Sequence, residues 1–224
     1  MNTPGRPLGV LPAGEHAVLV ELADLDAVLA LAAAARERVS EGAGAWAAVE
    51  DVVPGARTLL LSGERVDPAD LRSAVLDLAR TPAATDPGRP SATSGGTTAE
   101  VRVRYDGPDL GEVARLTGLS RGEVVAAHTS TPWRVAFGGF APGFAYLVGG
   151  DPRLRVPRRD APRGSVPAGA VGLAGEFSGV YPRPSPGGWQ LIGSTDAVLW
   201  QPDREPPALL QPGSVVQFVA EDPA

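Results

Sequence analysis

The fold of this chain is decided by a stretch that reads Gly138-Gly139-Phe140-Ala141-Pro142-Gly143-Phe144, followed by Val166-Pro167-Ala168-Gly169 and Ser185-Pro186-Gly187-Gly188-Trp189-Gln190. Of the 56 residues from Gly138 to Gly193, 13 are glycine and eight are proline. Because proline lacks a backbone donor and glycine is entropically costly in regular structure, this composition excludes long helices. The sequence therefore predicts short strands joined by loops of defined conformation, which is typical of loops that contact a ligand or a partner.

The same stretch is basic, although the chain as a whole is acidic. It contains six arginines and three acidic residues, a net charge of +3, against a formal net charge of −6 for all 224 residues. Guanidinium groups bind carboxylates and phosphates bidentately, so this local excess favours a small anionic ligand. An isoelectric point near 5.0 argues against nucleic acid as a partner, because no broad basic face is available. The alternative is that each of these arginines is a solvated loop residue.

Composition also limits the available chemistry. The chain has no cysteine, all 20 of its basic residues are arginine, and its only histidines are His16 and His128. Thiol nucleophiles, lysine Schiff bases, a Walker lysine and a histidine-rich metal site are therefore excluded, and we expect no bound metal. This set of side chains is small for a complete ATP-dependent enzyme. We therefore expect any catalytic role to be exercised in a site shared with partner chains.

The sequence shows no targeting or membrane segment. No apolar run approaches the roughly 18 residues that a membrane helix needs. The N-terminal residues MNTPGRPLGV lack the basic and apolar regions of a secretory signal. We therefore expect a cytoplasmic protein without membrane contacts.

Composition divides the chain into two domains joined by a linker. Residues 81–98 are almost free of large apolar side chains and rich in Pro, Gly, Ser, Thr and Ala, the composition of a flexible linker. Residues 1–80 predict a small α+β domain, with helices that begin after Asp24 and at Pro68. Its predicted strands cover residues 17–22, 46–52 and 58–61. This order of elements suggests a ferredoxin-like sandwich.

Residues 99–224 predict a mainly β domain. The segment 101–105 alternates apolar residues with arginines, as a half-buried strand does. Two helices follow, one opened by Pro108 and one by a capping box of Ser120 and Glu123. Further short strands are predicted over residues 133–137, 189–192, 197–200 and 215–218. Many short strands with Gly and Pro turns indicate a closed barrel or a sandwich.

Three strings in this domain carry a family resemblance: FGGFAPGFAYL from Phe137, DPRLRVPRRDAPRGSVPAGAVGLAG from Asp151 and GVYPRPSPGGWQLIGST from Gly179. They resemble the signature of the allophanate hydrolase subunit 1 family, and the likeness covers most of residues 100–219. The resemblance implies a cyclophilin-like β-barrel as the C-terminal domain. It also implies a subunit of an ATP-dependent 5-oxoprolinase, which opens the lactam 5-oxoproline to glutamate. The partners it implies are a C-type subunit, similar to allophanate hydrolase subunit 2, and an A-type subunit.

Residue type and local density suggest the site residues within this resemblance. Arg163 and His128 are the candidate catalytic residues, and Arg163 or Arg159 would hold a carboxylate or a phosphate. Backbone amides of the glycine-rich turns would bind an oxyanion, aromatic side chains would form an apolar wall, and Gln190 would pair with an amide. The candidate substrate-binding residues are Phe140, Pro142, Gly143, Phe144, Arg159, Pro167, Gly187, Gly188, Trp189 and Gln190.

Several of these assignments have alternatives. His128 falls in the last turn of a predicted helix, where its protonated form would suit the helix dipole, and the aromatic residues would also serve as ordinary barrel core. Two other functions stay open for the whole protein: a KipI-like inhibitor that binds a sensor histidine kinase, and a component of a urea- or allophanate-processing amidase. So does the question whether ATP contacts this chain. The sequence departs from the family pattern at Ala170, Phe177 and Ser194.

Overall fold

The computed structural model describes residues 6–80 and 98–221. The chain divides into two compact units, Met1–Ser91 and Ala92–Ala224. The predicted linker, residues 81–98, lies outside the described residues except for Thr98, where a strand begins. Within the two described ranges, no helix is both long enough and apolar enough to cross a membrane.

The first unit packs two helices against one antiparallel sheet. Its elements are β1 (Gly9–Pro12), β2 (Ala17–Glu21), α1 (Leu25–Glu41), β3 (Asp51–Pro54), β4 (Thr58–Ser62) and α2 (Pro68–Arg80). The strand order is β1-β2-β4-β3, and each neighbouring pair is antiparallel. Alternate residues of the central strands β2 and β4 are buried against apolar residues of both helices, which forms the core of this unit.

Local signals fix both ends of α1, and the predicted start is confirmed. Asp24 caps the helix, because its carboxylate accepts a hydrogen bond from the Ala27 backbone N–H at 2.9 Å. Gly42 ends the helix in the left-handed conformation, with φ 64°. Its N–H donates to the carbonyl oxygens of Arg38 and Val39, which would otherwise lack partners.

The ferredoxin-like prediction for this unit is not confirmed, and one predicted strand is wrong. The element order is strand-strand-helix-strand-strand-helix, because β1 precedes the strand predicted to open the domain. Residues 46–52 are not one strand: a 3-10 helix spans Gly44–Ala48, and β3 begins only at Asp51. Trp46 is buried from this helical turn, so its apolar surface reaches the core without the alternation of a strand.

The second unit is a nearly closed β-barrel, as the sequence predicts. Its strands are β5 (Thr98–Val103), β6 (Trp133–Gly138), β7 (Ala145–Val148), β8 (Arg163–Val166), β9 (Ala170–Ala174), β10 (Phe177–Val180), β11 (Ser185–Gly187), β12 (Gln190–Ser194) and β13 (Val215–Ala220). Seven of them form one sheet in the order β12-β9-β10-β7-β6-β13-β5, and β8 pairs with β11.

The barrel closes along a seam between β12 and the segment that follows β5. Arg104 and Ser194 form an antiparallel bridge with two backbone hydrogen bonds of 2.8 Å. Further along, the N–H groups of Gly107 and Asp109 donate to carbonyl oxygens of β12 at 3.2 and 2.9 Å. A Cβ on Gly107 would collide with the β12 backbone, so glycine is required for this approach. The seam therefore brings Asp109 directly beside β12.

Two helices, α3 (Leu110–Thr117) and α4 (Arg121–Ser130), follow the seam and pack on the barrel. The predicted capping box is confirmed: Ser120 Oγ accepts from Glu123 N at 3.2 Å, and the Glu123 carboxylate accepts from Ser120 N at 2.8 Å. The strand predicted over residues 197–200 is wrong. Trp200 instead forms an isolated bridge with Ala208.

His128, in the last turn of α4, lies in the barrel core. Its side chain is fully buried, and its Nδ1 and Nε2 are hydrogen-bonded to the hydroxyls of Tyr105 and Ser178, both at 2.8 Å. The ring also stacks on Phe218, with 4.3 Å between the centroids. Burial lowers the pKa of His128 to about 3, so the ring is neutral near pH 7. His128 is thus a neutral core group, not the charged partner of a helix dipole.

The buried histidine makes the stability of this unit depend on pH. Because the folded pKa of about 3 lies below the ordinary value of 6.5, the unfolded chain binds a proton here that the folded chain does not bind in that interval. The free energy of unfolding is therefore highest above pH 6.5 and falls as the pH is lowered, by up to about 1.4 kcal/mol per pH unit from this residue. We expect His128→Gln to flatten the slope between pH 6.5 and pH 4, measured by urea denaturation.

The control for this experiment is His16→Gln, which removes the other histidine and keeps the proton uptake of His128. A slope in His128→Gln equal to that of the unsubstituted protein would contradict the assignment.

Candidate functional site

Asp109 immediately precedes α3, on the barrel seam, and its side chain is 5% exposed. Its carboxylate does not cap the helix. Instead, Oδ2 accepts from the Leu191 backbone N–H at 2.7 Å, while Oδ1 accepts from Arg159 Nη1 at 2.9 Å and Arg163 Nη2 at 2.7 Å. One buried carboxylate therefore holds two arginines against β12.

The two-stranded β8–β11 ribbon positions Arg163. Arg163 opens β8 and pairs in register with Gly187 of β11. A Cβ on Gly187 would collide with the hydroxyl group of Tyr181, so glycine allows the ribbon to lie close to the barrel. Besides its bond to Asp109, the guanidinium donates to Trp189 O at 3.4 Å, and the side chain is 23% exposed. The arginine is fixed from two sides and still reaches solvent.

Arg159 reaches the same carboxylate from a neighbouring loop. Its backbone N–H donates to Gly188 O at 2.8 Å, and two residues earlier Pro157 O accepts from Gln190 Nε2 at 3.3 Å. The segments 157–159 and 188–190 therefore run side by side. In the part of the chain that the structure describes, Arg159 Nε and Gln190 Oε1 are buried without a hydrogen-bond partner.

The basic cluster carries more positive than negative charge. Arg158, Arg159 and Arg163 contribute three charges, and Asp109 and Asp160 offset two of them. Arg158 is exposed and makes no ion pair with any residue in the ranges 6–80 and 98–221. A net charge of +1 with accessible guanidinium N–H groups suits a single small anion.

An aromatic cluster adjoins the arginines through Trp189. Phe144 is at its centre, with ring-centroid distances of 5.1 Å to Tyr146, 5.3 Å to Phe140, and 5.4 Å to both Tyr181 and Trp189, all edge to face. Phe144 and Trp189 are both buried. These two rings therefore belong to the barrel core, where edge-to-face pairs add about 0.5–1.5 kcal/mol each beyond burial.

Arg158 lies close enough to this cluster to affect its titration. Burial raises the pKa of the Tyr146 and Tyr181 hydroxyls, and the Arg158 guanidinium acts in the opposite direction on both. The aromatic and basic clusters therefore adjoin on one side of the barrel.

The loop between β6 and β7 presents Phe140 in an unusual conformation. Its φ of 66° is uncommon for a residue other than glycine, and Ala141 N donates to Gly139 O across it at 2.7 Å, which makes a γ-turn. The Phe140 side chain is 56% exposed. Gly143 has φ 82°, and a Cβ added there would lie 2.7 Å from Trp200 Cβ, so this position requires glycine. An exposed aromatic residue on strained backbone is typical of a contact site.

The structure places most of the predicted site residues in two adjoining groups. Those that converge around the Asp109 carboxylate are Arg159, Arg163, Gly187, Gly188, Trp189 and Gln190. Those of the adjoining loop and aromatic cluster are Phe140, Pro142, Gly143 and Phe144. His128 lies in the core, and Pro167 lies on the exposed turn between β8 and β9.

Asp109, which binds both arginines of the site, is not among the residues that the sequence predicts. Its arginine partners are 50 and 54 residues away, and the dipeptide Pro108-Asp109 reads as a helix start. Phe177, one of the departures from the family pattern, joins the aromatic cluster at 5.4 Å from Tyr146. The other two departures are accommodated in the barrel: Ser194 Oγ donates to the Asp106 carboxylate at 2.9 Å and Ala170 is buried in β9.

The chain belongs to the family described as carboxyltransferase domain, subdomain C and D, whose model matches residues 8–210. It is similar to the 5-oxoprolinase B-subunit of Bacillus subtilis (strain 168), with 51% identity over 123 residues, which are 54% of this chain and 51% of that protein. The chain thus spans about half the length of the curated relatives it matches. The predicted similarity to 5-oxoprolinase B-subunits is confirmed.

Solved structures include one relative of similar length and one protein that shares the fold. A conserved uncharacterized protein from Pyrococcus horikoshii is 35% identical, with a TM-score of 0.54 over 96% of this chain and 98% of that one. The Kluyveromyces lactis urea amidolyase has a TM-score of 0.74 over 96% of this chain and 16% of its own, at 18% identity. At that identity the second likeness shows the fold alone.

The buried carboxylate should matter far more to stability than an exposed one with similar bonds. Asp109→Asn leaves two guanidinium groups side by side without their shared anion, so we expect the free energy of unfolding to fall by about 2 kcal/mol, after allowance for partial exposure of the arginines. The matched control is Asp196→Asn, because Asp196 also binds an arginine, Arg104, but is 84% exposed. That variant should lose much less stability, because an exposed ion pair is screened by solvent. Equal decreases in the free energy of unfolding of the two variants, measured by urea denaturation, would contradict a larger contribution from the buried carboxylate.

Proposed function

We propose that this chain is a subunit of an ATP-dependent 5-oxoprolinase, which opens the lactam ring of 5-oxoproline to give glutamate in a site shared with partner subunits. The observation that carries the proposal is the pair of guanidinium groups that Asp109 holds beside β12, with a residual positive charge. The similarity to 5-oxoprolinase B-subunits supplies the substrate class. The carboxylate of 5-oxoproline is the anion that the pair would bind.

The reaction explains why such a site is needed. A lactam carbon is a poor electrophile, and transfer of the γ-phosphoryl group from ATP to the carbonyl oxygen, which releases ADP, makes that carbon open to water. Water adds, the ring C–N bond breaks with protonation of the nitrogen, and a second water hydrolyses the resulting acyl phosphate to glutamate and phosphate. Negative charge develops on oxygen during these steps, and fixed donors stabilise it best when they are in place beforehand. Arg163 and Arg159 would anchor the substrate carboxylate. The amides of the Gly187-Gly188 and Gly138-Gly139 turns would face the developing charge.

The composition of the chain supports a shared site. Without lysine, it has no Walker-type residue for the phosphates of ATP, and arginines or backbone amides would be its only contribution to them. We therefore propose that a C-type subunit, similar to allophanate hydrolase subunit 2, and an A-type subunit complete the site, and that this chain is inactive alone. We also propose a cytoplasmic complex, the compartment for which a cysteine-free chain is suited.

A regulatory role of the KipI type has one observation in its favour. Phe140 is held out into solvent on strained backbone, and Trp200, near the same loop, is also partly exposed. Exposed aromatic residues are suited to a protein partner. The same surface would serve contact with a partner subunit, so the activity of the mixture separates the two functions.

The test of the proposal is reconstitution. Glutamate release from 5-oxoproline with ATP would be measured for this chain alone, for the partner subunits alone, and for all of them mixed. We expect activity in the mixture only. Association of the proteins without glutamate release would contradict the enzyme function and favour the regulatory one.

Within an active mixture, Arg163→Lys should lower kcat/KM for 5-oxoproline by about 10- to 100-fold. Lysine keeps the charge but loses the planar fork that binds Asp109 and a carboxylate together, and hydrogen bonds to charged groups contribute about 1.5–3 kcal/mol. The control is Arg183→Lys, an exposed arginine of the same segment, which should change kcat/KM less than about twofold. Activity retained in Arg163→Lys would contradict the proposal that Arg163 binds the substrate carboxylate.

A further inference from the structure

A cavity of about 110 Å³ lies between the turn that joins β9 to β10 and the loop that follows β7. Gly150 belongs to its lining and lies so close to the Trp133 ring that a Cβ there would collide with it, so this wall requires glycine. The large apolar side chains of the lining are Trp133, Val148, Leu154 and Phe177. Together they give the cavity an apolar wall.

Two side chains of opposite charge, Arg155 and Glu176, line the same cavity. Arg155 Nη2 lies 3.2 Å from Glu176 Oε2, and within residues 6–80 and 98–221 neither side chain makes another ion pair. The two side chains are 67% and 41% exposed, so their ion pair is screened by solvent and is easily rearranged. Both charged groups are therefore within reach of one ligand in the cavity.

The remaining charge of the lining is already balanced. Asp151 accepts hydrogen bonds from the Arg153 backbone N–H and from the Arg153 guanidinium, at 2.6–3.1 Å. A more open groove adjoins the cavity and shares four of its lining residues, Arg155, Gly175, Glu176 and Phe177. The charged pair thus lies where the cavity meets solvent, which gives a ligand a route of entry.

The apolar wall and the charged pair together define a class of ligand. A carboxylate beside Arg155 would be repelled by Glu176, and an amine beside Glu176 would be repelled by Arg155, unless one molecule carries both charges. An α-amino acid carries an ammonium and a carboxylate on one carbon atom. Because a cavity of about 150 Å³ holds benzene, one of about 110 Å³ suits a side chain of about four carbon atoms.

We propose that this cavity binds a zwitterionic α-amino acid with an apolar side chain of the size of leucine. The carboxylate pairs with Arg155, the ammonium pairs with Glu176, and the side chain packs against the apolar wall. Asp109, Arg159 and Arg163 line neither the cavity nor the groove, so this site is separate from the anion site. It adds a binding function that does not depend on the proposed reaction.

The test is calorimetry on this chain with L-leucine and four analogues. We expect L-leucine to bind with a Kd below about 5 mM. L-leucinamide lacks the carboxylate and 4-methylpentanoate lacks the ammonium, and each should bind at least about tenfold more weakly, because each leaves one charge of the pair without its partner. Glycine, which leaves the apolar wall empty, and L-phenylalanine, which overfills the cavity, should also bind at least about tenfold more weakly.

Two variants assign the charges. Arg155→Gln should lower the affinity for L-leucine at least about tenfold and abolish its advantage over L-leucinamide, and Glu176→Gln should do the same relative to 4-methylpentanoate. The matched control is Arg115→Gln, because Arg115 and Glu112 form an ion pair of nearly the same exposure, 69% and 41%, on α3. That variant should change the affinity for L-leucine less than about twofold.

The results that would overturn the inference are distinct from failure of the proposed function, because glutamate release is not part of the readout. L-leucine that does not bind, or that binds no more tightly than 4-methylpentanoate, overturns it without any variant. Equal weakening by Arg155→Gln and Arg115→Gln also overturns it, since the effect would then belong to the overall charge of the chain. Binding of L-leucine that only the Arg155 and Glu176 variants weaken supports it.

Discussion

The Asp109 carboxylate accepts hydrogen bonds from β12 and from two arginines, while the Asp109 backbone N–H closes the barrel seam. Barrel closure and site geometry are therefore linked through one residue. The seam needs glycine at Gly107, because a side chain there would push the segment away from β12. A carboxylate buried this deeply is stabilised only by paired charges and hydrogen bonds, so the two arginines hold Asp109 as much as Asp109 holds them.

The electrostatics of the site follow from this arrangement. Two guanidinium groups around one carboxylate leave a net positive charge, and each arginine is only partly exposed. The surrounding backbone is rich in glycine and proline. Bidentate donors held in advance bind an anion at low entropic cost. Most of the aromatic rings beside the arginines are buried in the barrel core. Phe140 contacts this cluster but is exposed to solvent. In the proposed reaction the chain would supply recognition and charge stabilisation, and its lack of lysine would leave the phosphates of ATP mainly to a partner.

The sequence predicts features that depend on near neighbours and misses those that depend on distant ones. Asp24 and the Ser120–Glu123 capping box are recognisable because their partners lie three residues away. The barrel is recognisable from its many short strands and from the family resemblance. The strand prediction for Trp46 is wrong because an apolar run does not show whether it is buried from a strand or from a 3-10 turn. Arginine density marks the right segment, but only folding shows that Asp109 organises it and that His128 is packed away in the core.

A double-mutant cycle between Asp109→Asn and Arg163→Lys, read as kcat/KM for 5-oxoproline in the reconstituted complex, measures whether the carboxylate acts through the arginine. If Asp109 serves to position Arg163, the two effects overlap. The loss of transition-state stabilisation in the double variant, calculated from kcat/KM, should then be at least about 1 kcal/mol smaller than the sum of the losses in the two single variants. Additive losses, within about 0.5 kcal/mol, would show that the two residues act independently and that the buried carboxylate does not organise the anion site.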